Sequence, residues 1–385
     1  MLSPKISFKN FKSKKVKSSL VRKKLITLLK EKNEILESLS KDYKNKFNNK
    51  NLKKFKNSLD CRVIGMGGSS LGAQAIYNFL RHKIKKKFFF IDNLKKRNQE
   101  KKKKYYNNLI ISKSGNTIET IVNVNLLVKK KDRNIFITEN KKNYLKLLAE
   151  KLKADIIHHN NYIGGRYSVL SEVGMLPAEL MGLNTTNFKQ LNFLVKNKSF
   201  FNNLVWNVSS TLHLIRNKKF NSIILNYDEK SDSLFKWYQQ LIAESLGKKK
   251  NGILPVISNM PKDNHSVMQL YLDGFKNNFY TFFYVQEDQS EKLNDKKILS
   301  TKNYLKNKSL KDIIFSQKKA TENVFNRKNI PFRSFEIKKR DEKTLGELFC
   351  FFILETILIA KSLNINPYDQ PAVELIKQET TKILI

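Results

Sequence analysis

From about residue 58 the chain alternates short apolar runs with longer segments of helical spacing. "CRVIGM" (61–66) runs into a glycine loop, and "AQAIYNFLRHK" after it has the apolar spacing of a helix. "KFFFID", "NNLIIS" and "NIFITE" read as strands; "TIETIVNVNLLVKK" and "NYLKLLAEKLK" read as helices. A second cycle begins near 205: helix, strand "NSIILNY", helix 233–246, strand "GILPVIS", helix 266–273, strand "FYTFFYV". Helical stretches at 344–363 and 371–383 finish the chain. This rhythm predicts α/β architecture: two doubly wound parallel sheets, each in a three-layer α/β/α sandwich. Before 58, Leu20, Val21, Leu25, Leu28 and Leu29 have the spacing of an amphipathic helix. The expected division is a basic helical segment at 1–55, α/β domains at 56–195 and 205–343, and C-terminal helices at 344–385.

Composition refines this picture. The 385 residues, 40% apolar and 11% aromatic, suffice for two buried cores. The longest apolar run, "LFCFFILETILIA" (348–360), is too short for a bilayer and contains Glu355, so no membrane association is expected. The basic start lacks an apolar h-region, so no secretory leader is expected. Cys61 and Cys350, far apart in hydrophobic stretches, read as buried free thiols of a reducing compartment, with cytoplasm the default. The net charge of +40 raises nucleic acid as a partner, yet only ten of the 74 basic residues are Arg. Lys, Asn, Ile and Phe together are what AT-rich codons encode. No nucleic-acid partner is expected, and the lysine runs at 83–87 and 101–104 read as solvated surface that attracts anionic metabolites.

Two loops are candidates for an anion. "VIGMGGSSLGAQ" (63–74) ends a strand and opens a helix, where unsatisfied N–H groups favour negative charge. It is not a Rossmann fingerprint, because Ser70 takes the third glycine slot, nor a P-loop, because Ala73 stands where Lys is required. Asp92 keeps a dinucleotide reading open, and a plain tight turn fits the loop equally well. "ISKSGNTIET" (111–120) changes the balance. Asn116 and Glu119 have capping-box spacing, which leaves Ser112, Lys113, Ser114, Thr117 and Thr120 unexplained. Both loops leave strands of one parallel sheet at their C-terminal ends, where such sheets bind ligands. One monophosphate of a small molecule is the expected occupant. His158 and His159 are adjacent without further ligands nearby in sequence, so no metal is expected.

Taken together, "IGMGGSSLG", "SKSGNTIET", "GGRYSVLSEVGMLP", "QQLIAESLGK", "NHSVMQLYLDG" and "NPYDQPAVELIK" resemble the bacterial-type glucose-6-phosphate isomerase family, in family order over about 60–377. The resemblance implies two sugar-isomerase (SIS-type) domains, with 344–385 completing the active site. It implies interconversion of glucose 6-phosphate and fructose 6-phosphate through a cis-enediol, with no cofactor. Glu244 lies beside Trp237 and Leu241 on the flank of an apolar stripe, where partial desolvation raises a carboxyl toward a general base's working range. The resemblance makes it the base that moves the proton between C1 and C2. Arg166, after two glycines, would stabilise enediolate charge. His265 would help open the ring, reaching across a homodimer from the neighbouring subunit.

Gln370 and Lys377, two turns apart on a helix begun by Pro371, share one face. The resemblance gives Lys377 a role at O5 in ring opening and Gln370 a contact at the phosphate end. Gly68, Ser69, Ser112, Lys113, Ser114, Thr117, Thr120 and Gly165 match its substrate- and phosphate-contacting segments. The sequence departs from the family at Glu172, which bears on local packing, at Ala372, which is harmless in helical backbone, and at Asn116. Two rivals are a related isomerase that also accepts mannose 6-phosphate and a non-catalytic sugar-phosphate-binding regulator. The second would dispense with Glu244 and Lys377, and both are present.

Overall fold

The computed structural model describes residues 2–12, 18–48, 52, 53, 55, 60–95, 105–286 and 289–385. Its strands are β1 (Ile6–Lys9), β2 (Asp60–Ile64), β3 (Lys87–Ile91), β4 (Asn107–Ile111), β5 (Arg133–Thr138), β6 (Asp155–His158), β7 (Asn221–Asn226), β8 (Leu254–Asn259), β9 (Asn278–Val285) and β10 (Phe332–Ile337). The described helices of eight or more residues are α1 (Ser19–Lys30), α2 (Leu71–Phe79), α3 (Ile118–Leu127), α4 (Tyr144–Lys151) and α5 (Glu172–Leu180), then α6 (Lys198–Arg216), α7 (Asp232–Leu246), α8 (Leu310–Arg327), α9 (Glu342–Ser362) and α10 (Pro371–Leu384).

The described residues form two five-stranded sheets, as the alternating pattern requires. The first has the order β3-β2-β4-β5-β6 and every pairing is parallel. The second has the order β1-β10-β9-β7-β8, parallel except at β1. The central strands are apolar on both faces, as a sheet covered on both sides demands; all eight residues of β9 are buried. One continuous cluster of buried side chains joins the sheets, from Val63 and Ile111 in the first to Phe283 and Phe335 in the second. At its centre runs α9, buried at every position from Thr344 to Ala360. Among the described residues no helix is long and apolar enough to cross a membrane.

The N-terminal segment differs from the all-helical expectation. Ile6 and Phe8 alternate inward, and β1 pairs antiparallel with β10 from Ile6 opposite Ile337 to Lys9 opposite Ser334. Helix α1 forms as its spacing predicts and buries Val21, Leu25 and Leu28, while Leu20 remains in solvent. In the lysine run 83–87, Lys83, Lys85 and Lys87 are exposed; the run at 101–104 lies outside the described residues.

The departure at Glu172 has a packing explanation. Its buried carboxylate accepts from Tyr43 Oη at 3.0 Å and from the Lys46 N–H at 3.1 Å, tying the segment 43–46 to the start of α5. The buried Lys189 ammonium lies nearby and donates to Ser38 O and Leu170 O; burial lowers its pKa to about 7, with Glu172 opposing that shift. Ala372 lies in the first turn of α10, where alanine fits helical backbone.

Candidate active site

In the first sheet the strand order reverses between β2 and β4, so the loops leaving their C-terminal ends flank the switch point where such sheets bind ligands. The loop after β2 makes a 3-10 turn over Gly67–Ser69 and enters α2, whose N-terminus receives no side-chain cap. Gly68 permits a backbone-to-backbone approach. A Cβ there would lie 2.2 Å from the Gly165 carbonyl carbon, so the glycine loop and the segment carrying Arg166 meet only because Gly68 has no side chain.

The loop after β4 turns at Gly115, whose φ of +66° places it in the left-handed region. Helix α3 then begins at Ile118 with Thr117 as N-cap, so the expected capping box of Asn116 and Glu119 does not form. The Asn116 amide oxygen instead accepts from the Tyr144 N–H at 3.0 Å, joining this loop to the start of α4. Thr117 Oγ1 faces Ser112 Oγ at 3.0 Å and does not cap the helix. Both helices that open on this edge of the sheet therefore begin without a side-chain cap, and an anion there meets free N–H groups.

A cavity of about 340 Å³ lies at this edge. It is lined by ten of the residues singled out from sequence: Gly68, Ser69, Lys113, Ser114, Thr117, Gly165, Arg166, Glu244, Gln370 and Lys377. Three others lie elsewhere. Ser112 and Thr120 are buried behind the loop and do not line the cavity; Ser112 is turned to Thr117, and Thr120 Oγ1 has no hydrogen-bond partner among the described residues. They follow strand and helix periodicity inward, which a count of hydroxyls does not register. His265 ends a 3-10 turn beyond β8, exposed, and does not line the cavity of its own chain. Asp92, the residue that kept a dinucleotide reading open, accepts from Gln74 Nε2 at 2.7 Å.

Glu244 projects from the last turn of α7. The expected apolar wall is only part of its surroundings, because polar groups hold both carboxylate oxygens. Gln240, one turn earlier, donates from Nε2 to Oε1 at 2.9 Å, and Arg166 Nη1 donates to Oε2 at 3.2 Å. Gln240 lies inside the quoted "QQLIAESLGK" but was not singled out; its i−4 spacing from Glu244 is the signal that could have found it. Arg166 is itself buried, and all five of its N–H groups have acceptors. Nε donates to Ser245 Oγ (2.8 Å), Nη1 to Glu244 and to Gln370 Oε1 (2.8 Å), and Nη2 to the carbonyls of Pro367 (2.6 Å) and Asp369 (3.0 Å). Its own carbonyl accepts from Trp237 Nε1 at 3.1 Å, so α7 holds both ends of the residue.

Arg166 is thus a clasp between α7 and the segment 366–370. Tyr167 Oη reinforces it at Pro367 O (3.1 Å), and burial pushes that phenol up to about 12, keeping it a donor. Lys248 closes the far side, donating to Asn366 O at 2.5 Å and pairing with Asp369 at 2.7 Å; the Lys248 hydrogen bond holds the Asp369 carboxyl below its usual range.

Every cation of the cavity faces an anion. Lys113 lies 3.4 Å from Glu139, Arg166 3.2 Å from Glu244 and Lys377 2.6 Å from Glu374. Glu139 and Glu374 also line the cavity and were not singled out from sequence, although Glu374 lies inside the quoted "NPYDQPAVELIK". Among the described residues no group of three or more His, Cys, Asp or Glu side chains has the geometry of a metal site.

The family model of phosphoglucose isomerase matches residues 27–385. The chain is 33% identical over 335 residues to the glucose-6-phosphate isomerase of Methanocaldococcus jannaschii, covering 81% of each chain. It is 32% identical over 350 residues to that of Mycoplasmopsis pulmonis, covering 84% of this chain and 82% of the relative. Among solved structures, a hypothetical protein of Thermus thermophilus superposes over 95% of this chain and 94% of its own with a TM-score of 0.81 at 22% identity. A glucose-6-phosphate isomerase of Chlamydia trachomatis does so over 95% and 83% with a TM-score of 0.69 at 16% identity. Matched along nearly its whole length, the chain belongs to the phosphoglucose isomerase family.

Proposed function

We propose that this cavity is the active site of an aldose–ketose isomerase that interconverts D-glucose 6-phosphate and D-fructose 6-phosphate. The observation that carries the assignment is the placement of Glu244. A carboxylate oriented by Gln240 and Arg166 opens onto a cavity shared with two uncapped helix N-termini. Ser69, Ser114 and Thr117, with Lys113, hold the 6-phosphate. Glu244 removes the proton from C2 of the open-chain aldose and returns it at C1, and in the cis-enediol between the two steps the hydroxyl proton passes from O2 to O1, leaving C2 as the carbonyl. The Arg166 guanidinium lies beside the charge that develops, Lys377 serves ring opening at O5, and Gln370 completes the wall next to Arg166.

The working unit is a homodimer in which His265 of each chain completes the other's site. Two features support this: His265 is exposed and away from its own cavity, and α10 buries none of its residues within one chain. The two sheets belong to two sugar-isomerase domains, 56–195 and 205–343, the second joined by β1 of the N-terminal segment, and 344–385 completes them. A cytoplasmic setting suits Cys61 and Cys350, free thiols whose burial pushes each up to about 12, away from the reactive thiolate.

Fructose 6-phosphate turnover by mixed variants tests both parts. His265→Ala and Glu244→Gln are each expected to be inactive alone. Mixed after unfolding and refolding together, they pair one intact base with one intact histidine, restoring about a quarter of wild-type sites. Activity in His265→Ala alone, or no recovery on mixing, contradicts the shared site.

A further inference from the structure

Glu139 has no part in the mechanism above, yet it lies in the phosphate end of the cavity. Its own N–H donates to Lys113 O at 3.0 Å, and Thr138 Oγ1 donates to the same carbonyl at 3.2 Å. This stitch between the ends of β4 and β5 fixes the Glu139 carboxylate 3.4 Å from the Lys113 ammonium, with the carboxylate mostly shielded from solvent. One N–H of Lys113 Nζ is taken by Asn161 O at 2.7 Å. Two N–H groups are left for a ligand, but a phosphate on Ser114 and Thr117 must share the charge of the ammonium with a carboxylate of its own sign. The other neighbour of Glu139, Lys141, lies 3.9 Å away and is largely exposed, so water screens most of its charge.

We propose that Glu139 is an affinity-limiting counter-ion of the phosphate subsite. It occupies Lys113 when the site is empty, opposes any anion that enters, and so limits the affinity and residence time of phosphate there. The proposal rests on reading this cavity as the sugar-phosphate site. The charge of the chain gives the device a purpose. At +40, the field of the protein concentrates every anion at its surface. A lysine without a counter-ion would retain inorganic phosphate and polyanions as readily as substrate. A carboxylate in contact range weakens all of them by a similar factor and shortens their stay, and a ligand with further contacts along the cavity toward Glu244 still binds.

Glu139→Gln tests this, because it keeps shape and backbone bonds and removes one charge. The KM for fructose 6-phosphate and the inorganic phosphate concentration giving half inhibition are both expected to fall about three- to tenfold. Ser114→Ala should raise both. A readout independent of turnover is the thermal midpoint, which 10 mM phosphate (a chosen concentration of roughly this order) should raise more in Glu139→Gln than in wild type. Suppose phosphate inhibition is unchanged or weaker in Glu139→Gln while Ser114→Ala still weakens it. Glu139 then only positions Lys113, and the proposal is wrong with the phosphate site intact. If neither variant alters phosphate inhibition, phosphate binds elsewhere and both readings fall.

Discussion

Arg166→Lys separates two jobs that the guanidinium performs. If the residue acts only through its positive charge, lysine is an adequate replacement. The structure assigns it a second job, because five N–H groups meet Ser245, Glu244, Gln370 and the carbonyls of Pro367 and Asp369. An ammonium has three donors at one point and cannot reach both faces of that arrangement. At least two buried acceptors lose their partner, and with charge-assisted bonds contributing about 1.5–3 kcal/mol each, the expected loss is about 3–6 kcal/mol. Part of it should appear as local opening of 366–370, since Lys248 and Asp369 still hold that segment from outside. Loosening the clasp also displaces Glu244 and Gln370, and a misplacement of about 1 Å costs on the order of 10²-fold in rate. The assays are kcat/KM for fructose 6-phosphate, urea denaturation, and amide exchange across 364–371. Near wild-type turnover with an unchanged urea midpoint would refute the clasp and leave charge as the whole role.

Other perturbations test the supports of the site. Gly68→Ala puts a Cβ against the Gly165 backbone, which has no flexible side chain to yield; a loss of about 1–3 kcal/mol in urea unfolding is expected, with reduced kcat/KM. An unchanged unfolding midpoint would contradict that packing. His159 is buried, its Nδ1 2.8 Å from Asn160 O, and burial lowers its pKa from 6.5 to about 4. Between those values the unfolded chain binds a proton that the folded chain refuses. Its contribution to stability is therefore intact above pH 6.5 and lost as pH falls to 4, by about 3 kcal/mol at most. His159→Asn, whose amide supplies an N–H near the position of the ring N–H, should flatten that part of the stability–pH profile; an identical slope would show that the ring does not titrate this way. Wild-type turnover is expected to persist in excess EDTA, and its abolition would require a metal that the mechanism does not use.

Legibility from sequence followed the physical origin of each element. Strands and helices built from unbroken apolar spacing, β2 to β5, β7 to β9, and α9, were readable because burial alone specifies them. Strand β10 was not, since "PFRSFEI" carries Arg333 in its middle. That guanidinium is buried against Glu355, with Thr281 and Asn207 at 2.9 Å and Tyr238 at 3.1 Å, its partners lying on four other elements. Glu355, read locally as a mark against a membrane span, is the partner that makes the strand possible. Helix α8 was hidden similarly, because Lys318 and Glu322, paired at 3.0 Å, take buried positions on its inner face where apolar residues were sought. The cavity was legible as loops and motifs because each is local in sequence. The Arg166 clasp was not, since its acceptors come from residues 244, 245, 367, 369 and 370, brought together only by the fold.

The central claim is that Glu244 moves the proton, and Glu244→Gln in deuterium oxide tests it most directly. The amide keeps an oxygen for Arg166 or Gln240, so the cavity should retain its shape and its protection by phosphate against thermal unfolding. Turnover of fructose 6-phosphate and deuterium incorporation at the transferred position should both fall by about 10²- to 10⁴-fold, the range for loss of a general base. A Glu244→Gln enzyme that isomerises and exchanges at the wild-type rate would contradict the account.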